Sequence, residues 1–131
     1  MAEIRSFRDL NLYKLARDEV QRLDDVTRAF PREEIYPLTD QVRRSSRAVS
    51  ALLAEAWARR PYPAAFVNKV DEALGEAMET QAWLDHALDC GYMTRPVHDQ
   101  LDGAWQSVGA MLRGMMLRAD AFCRAPSSRP K

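Results

Sequence analysis

A chain of 131 residues, 47% hydrophobic and 29% charged, is one domain by length, large enough for a real core and too short for two. Its formal net charge is zero, which argues against a dedicated nucleic-acid binder, whose surface carries a basic excess. No apolar run nears the ~20 residues that span a bilayer, and no cationic stretch leads into an apolar one as in an export signal. The expectation is therefore a cytoplasmic protein without membrane contact.

Four helical segments follow in chain order. The first is expected from Leu10 to Arg28, with Asp9 as N-cap. Its seam is Tyr13, Ala16, Val20 and Leu23, spaced three and four apart. Phe30-Pro31 ends it, because proline disfavours helix in the residue before it. The second is expected from Pro37 to Arg59, with proline in the first turn, where a missing N–H costs nothing. Its seam is Leu38, Val42, Val49, Leu52 and Ala56, with Ser45 as a small residue that lets helices approach. Pro61 and Pro63 close it.

The third segment is expected from Ala64 to Cys90. Phe66, Val70, Ala73, Ala77, Gln81, Leu84 and Leu88 hold the 3/4 spacing, and Gly91 stands where a helix ends in a left-handed residue. The fourth opens on Thr94 as N-cap with Pro96 in its first turn. It runs through Val97, Leu101, Ala104, Val108, Leu112, Met115, Ala119 and Phe122. No strand-like alternation is visible. Short connections between long amphipathic helices imply antiparallel neighbours. The fold expected is all-α, an antiparallel up-down-up-down four-helix bundle over residues 1–124, followed by a disordered tail at 125–131.

Cys90 and Cys123 fit no metal spacing. Each is expected to close a helix at opposite ends of the bundle. A helix of ~28 residues is ~40 Å long, beyond disulfide reach, so both thiols are expected reduced.

Charge is uneven along the chain. From Leu38 to Arg60 five arginines face Asp40 and Glu55, a net of +3; from Ala64 to Cys90 one lysine faces six acids, a net of −5. Two readings stand. The basic and acidic helices pair within the bundle, or they complement each other between subunits.

The catalytic patterns are missing. A carboxylate-bridged di-iron site needs Glu-x-x-His pairs, but the residue three before His86 is Trp83 and three before His98 is Arg95. Both histidines are expected at the surface, and Asp85-His86 and His98-Asp99 are neighbours whose side chains diverge on a helix. Ser45, Ser46 and Ser50 have no histidine nearby and no nucleophile-elbow motif. Gly103, Gly109 and Gly114 are too scattered for a phosphate loop. Glu76 and Glu79 read as part of a solvated or partner-binding acidic face. The expectation is no enzyme, no metal and no cofactor.

Three groups of residues remain as candidates. Gln41, Glu55 and Gln81 fall near apolar seams, where a polar side chain fixes register through buried hydrogen bonds or, alternatively, holds a ligand. Arg43, Arg44 and Arg47 could contact phosphate or carboxylate. Met111, Met115, Met116 and Leu117 carry apolar surface beyond one face of the fourth helix, as Leu74, Met78 and Trp83 do on the third. Such surplus suits either a wide core stripe or a subunit contact.

Read in order, the residues resemble a known family. Phe7-Arg8-Asp9-Leu10 with Tyr13 and Ala16 resembles its start. Phe30-Pro31 followed by Glu34, Tyr36 and Leu38 resembles its first connection. Gln41-Val42-Arg43-Arg44-Ser45-Ser46, then Val49, Ala54 and Glu55, resembles its second helix. Phe66, Ala73, Gly75, Glu79, Leu84 and Ala87, ending at Gly91-Tyr92, resemble its third. The family is that of the 23S rRNA-intervening-sequence proteins, which is grouped with the accessory variability protein of diversity-generating retroelements.

The chain departs from the family pattern at Pro37, Ala48, Leu52, Ala56 and Glu76, where glycine, serine, asparagine, glycine and serine are usual. The polar cluster of the second helix is thereby partly erased. The resemblance implies a ring-like homo-oligomer of four-helix bundles, notably a pentamer, with no enzymatic activity and a scaffold or binding role. The retroelement relative binds RNA. That implies the alternative reading, an RNA-binding accessory protein with an arginine track repeated around a ring.

Overall fold

The computed structural model describes residues 3–123. Four long helices dominate it: α1 (Asn11–Thr27), α2 (Asp40–Ala58), α3 (Pro63–Asp89) and α4 (Arg95–Leu117), with a short α5 (Ala119–Cys123) after them. Among the described residues there is no strand, and no helix is long and apolar enough to cross a membrane. The expected tail at 125–131 lies outside the described residues.

The helix starts differ from expectation in two places. Asp9 does not cap α1. Its carboxylate accepts the backbone N–H groups of Arg5 and Ser6, at 2.8 and 3.0 Å, and closes a capping box with Ser6 around the single 3-10 turn Phe7–Asp9. A reciprocal pair of bonds satisfies more free N–H groups than one cap would. Pro37 does not open α2 either. It lies in a wide π turn, Ile35–Thr39, that leads into the helix at Asp40. Later signals hold at α4 and at the end of α3: Thr94 caps α4 through its hydroxyl at 3.4 Å from the Val97 N–H, Pro96 sits in its first turn, and Gly91 takes φ 77° after α3. Pro63, expected to close the second helix, instead opens α3.

One core runs through the molecule. Leu23, Val42, Leu53, Phe66, Val70, Leu84, Leu101, Trp105, Val108 and Leu112 are all but removed from water. The seams rotate slightly against their sequence reading. On α2 the buried leucine is Leu53, while Leu52 is half-buried. On α3 Thr80 takes the buried place expected for Gln81, and Ala87 that of Leu88; on α4 Trp105 is buried where Ala104 was expected. On α1 it is Leu12 that is buried, and Tyr13 is half-covered. A helix turning 3.6 residues per turn drifts against a strict seven-residue pattern, so neighbouring positions exchange roles along it.

Cross-helix pairs set the register. Arg44 meets Glu79, Ser45 meets Thr80 and Glu55 meets Lys69 between α2 and α3. Between α3 and α4, Asp85 meets His98 and Gln81 meets Asp102. Leu74 lies 3.5 Å from the space a side chain at Gly109 would fill, so those two helices approach closely there. Ser45 and Thr80 share the only polar contact deep in the α2–α3 seam that is described, with their hydroxyl oxygens 2.8 Å apart. Each hydroxyl also has a carbonyl of its own helix within reach, Glu76 at 2.9 Å for Thr80 and Val42 at 3.3 Å for Ser45, so whichever donates across the seam neither is left bare.

At one end the two connections are tied together. Tyr92 donates its hydroxyl to Glu34 at 2.6 Å, and its ring tilts onto Phe30 with centroids 5.6 Å apart. The bond to Glu34 pushes the Tyr92 pKa up to about 12. Ionisation must break a bond that only the neutral phenol can donate. Its stabilising effect is therefore full below the ordinary tyrosine value near 10 and lost as pH rises through the folded value. In an alkaline absorbance titration a late tyrosine step is expected from Tyr92, and Tyr92→Phe removes it. A titration curve whose alkaline end is the same in Tyr92→Phe would show that the tie does not persist in solution.

Candidate functional site

The three arginines of α2 do not form a track. Arg43 turns toward α1, where its Nε donates to Thr27 Oγ1 at 3.1 Å and lies 3.8 Å from Asp24. Arg47 reaches the same Asp24 at 3.3 Å. Arg44 points the other way, to α3, where it meets Glu76 at 3.2 Å and also Glu79. Residues one apart on a helix diverge by about 100°, so Arg43 and Arg44 serve opposite neighbours. The basic α2 thus meets the acidic α3 within the chain through Arg44, and Glu55 with Lys69 at 3.4 Å adds an α2–α3 pair of the opposite sense.

Gln41, Glu55 and Gln81 are not brought together. Gln41 is half-buried and accepts from Arg44 Nε at 3.4 Å. Glu55 is exposed and bound to Lys69. Gln81 lies between α3 and α4, where its amide donates to Asp102 at 3.1 Å and to Gln106 at 3.0 Å. In place of a single polar core cluster there are two interhelix links, at Glu55 and Gln81, and one contact within α2, at Gln41. The buried polar residues are instead Glu19, Thr27, Thr39, Ser45, Ser46, Thr80 and His98. The hydroxyls among them can bond back to the helix backbone, a signal that the apolar spacing alone hides.

The surplus apolar residues divide. Met115 is part of the core, and Leu74 packs toward Gly109. Trp83 is drawn into the α2–α3 network by donating Nε1 to Glu79 at 3.0 Å. Met116 is half-buried. Met78, Met111 and Leu117 stay in solvent, Leu117 with 88% of its surface exposed. Met111 also borders a largely apolar groove of about 450 Å³ where the start of α1 meets the end of α4. Ile4, Leu12, Met115, Phe122 and Arg118 are among the other residues lining it. A smaller groove of about 190 Å³ between α1 and α2 is lined by Tyr13, Arg17, Arg47 and Ser50.

The histidines part company as well. His86 is exposed and lies beside the Trp83 ring. His98, expected at the surface, is only 7% exposed. Its ring lies along the helix surface, so its nitrogens reach carboxylates on both sides instead of diverging from its neighbour. Nδ1 is 2.9 Å from Asp99 and Nε2 is 2.8 Å from Asp85. The Asp99 carboxylate holds its pKa above the ordinary histidine value, against the opposing effect of burial. Both cysteines are free, Cys90 exposed and Cys123 half-buried.

These features define an all-α helical-bundle protein in which a subset of charged side chains pairs across helix seams. The chain belongs to the 23S rRNA-intervening sequence protein family, whose sequence pattern it matches over residues 8–114. Its fold is similar to that of a Bacteroides thetaiotaomicron protein from the S23 ribosomal protein family, described as a protein with unknown function. The two share 23% identity and a TM-score of 0.72 over 80% of this chain and 97% of the other. No functionally curated protein matches the chain.

Proposed function

We propose that this chain is a non-enzymatic, cytoplasmic subunit of a ring-like homo-oligomer, pentameric on the family resemblance, that serves as a scaffold or binding module. Each subunit is an antiparallel up-down-up-down four-helix bundle. The pairs 45–80 and 55–69 support that arrangement for α2 and α3, since one number rises as the other falls. The pairs 81–102 and 85–98 support it for α3 and α4.

The observation that carries the oligomer is the apolar surface left in water along α4: Leu117, Met111 and the groove beside it. Isolated exposed apolar residues are ordinary, but Met111 borders an apolar groove, which marks an interaction surface, and Leu117 adds exposed apolar area on a neighbouring face of the same helix. A heterologous contact that closes on itself makes a ring.

Light scattering tests it. The expected mass is several times the 15.0 kDa chain. Leu117→Asp and Met111→Asp are expected to lower that mass while circular dichroism stays helical, because both sites are already solvated. A wild-type monomer sinks the proposal; a multimer untouched by both substitutions removes α4 from the contact. The RNA-binding alternative has weaker support, because Arg43, Arg44 and Arg47 each face a carboxylate of their own chain. It would be revived by a mass gain with a short structured RNA that vanishes as salt rises.

A further inference from the structure

We propose that Asp85, His98 and Asp102 form a binding site for one divalent transition-metal ion that clasps α3 to α4. His98 and Asp102 stand four apart on α4 and so project from one face of that helix. Asp85 reaches them from α3. One ligand atom from each of the three lies within 4.8 Å of the other two. Zinc bonds of ~2.0–2.2 Å to nitrogen and oxygen place neighbouring ligand atoms roughly 3.3 Å apart, so small side-chain adjustments complete the set.

The surroundings are those of a ligand set rather than a surface accident. The Nδ1 of His98 faces Asp99 at 2.9 Å, which orients the ring and leaves Nε2 toward Asp85. A carboxylate behind the imidazole is the arrangement that fixes tautomer and raises basicity at metal-bound histidines. Gln81 plays the matching part for Asp102, holding its Oδ1 at 3.1 Å. His98 is itself nine-tenths buried, while Asp85 is open to solvent and gives an entry path.

The charges agree. Three carboxylates, Asp85, Asp99 and Asp102, surround one imidazole, and among the described residues the one Lys or Arg ion-paired with any of them is Arg95, 3.8 Å from Asp99. A divalent ion offsets this excess by taking the place of the proton on Nε2, which leaves to solvent. The nitrogen donor and the count of three protein ligands suit zinc and its neighbours, not magnesium or calcium, which prefer six or more oxygens.

The test is calorimetric titration of the full chain, stripped with chelator, with zinc chloride and with magnesium chloride. One zinc per chain is expected, with no magnesium heat and a raised melting midpoint in zinc. His98→Gln and Asp102→Asn are expected to abolish that stoichiometric binding, and Asp99→Asn to weaken it about 10–100-fold. His86→Gln is expected to bind as wild type. Nitrogen NMR of the unsubstituted protein provides a readout that does not depend on variants folding: zinc shifts Nε2 of His98 while Nδ1 stays protonated. No binding at micromolar zinc, binding that survives His98→Gln, or a zinc shift at His86 instead would each overturn the site.

Discussion

Trp105→Ala lowers the unfolding free energy by about 3–5 kcal/mol, the range for removing a large aromatic from a packed core. Trp105 has no exposed surface and is the largest of the fully buried side chains. It sits in α4 where the sequence seam pointed to Ala104, so its loss opens a cavity at the centre of the molecule. Its indole Nε1 has no hydrogen-bond partner among the described residues. An unpaired buried donor costs about 1–3 kcal/mol. Trp105→Phe keeps much of the ring and removes that donor, so it is expected to cost clearly less than Trp105→Ala. Urea unfolding of the three proteins measures both. A Phe variant as damaged as the Ala variant would show that indole shape, not simple burial, is what the core requires.

The second large effect lies on α2. Leu53→Ala is expected to cost about 2–5 kcal/mol, since Leu53 is 1% exposed. Leu52→Ala, at a half-buried place, is expected to cost roughly half as much or less, in line with the area it removes from water. The comparison tests the rotation of the α2 seam directly. Equal losses, or a larger loss at Leu52, would mean that α2 turns a different face to the core.

These two cases mark how far a sequence can be read. Most of the apolar seam was legible: Ala16, Val20, Leu23, Val42, Val49, Phe66, Val70, Ala73, Ala77, Leu84, Leu101, Val108 and Leu112 all lie where spacing put them. Choices between adjacent residues were not, as with Leu52 and Leu53, or Gln81 and Thr80. A shift of one residue is a rotation of about 100°, and only the neighbouring helices decide which side chain wins the inner place. Thr80 wins because its hydroxyl has both the Glu76 carbonyl and the Ser45 hydroxyl as hydrogen-bond partners, which makes burial of a polar group tolerable.

The candidate sites were less legible than the fold, for a physical reason. A charged side chain's role depends on what faces it, and that is a long-range property. Arg43, Arg44 and Arg47 look like one basic patch along the chain, yet Asp24 on one side and Glu76 with Glu79 on the other divide them. His98 looked like a surface residue because nothing within its own segment buries it. Asp85, thirteen residues away, and the packing of α3 on α4 make it an inner one.

By itself, then, the chain's sequence determined the helical class, the number of long helices, their punctuation at Pro63, Gly91 and Thr94, and the family. Those depend on local periodicity and backbone chemistry, which each segment carries alone. Only the tertiary structure decided which arginines are neutralised, which methionines remain in water, and that two aspartates and a histidine meet across α3 and α4. Those depend on helix rotation and register, which the packed core sets as a whole.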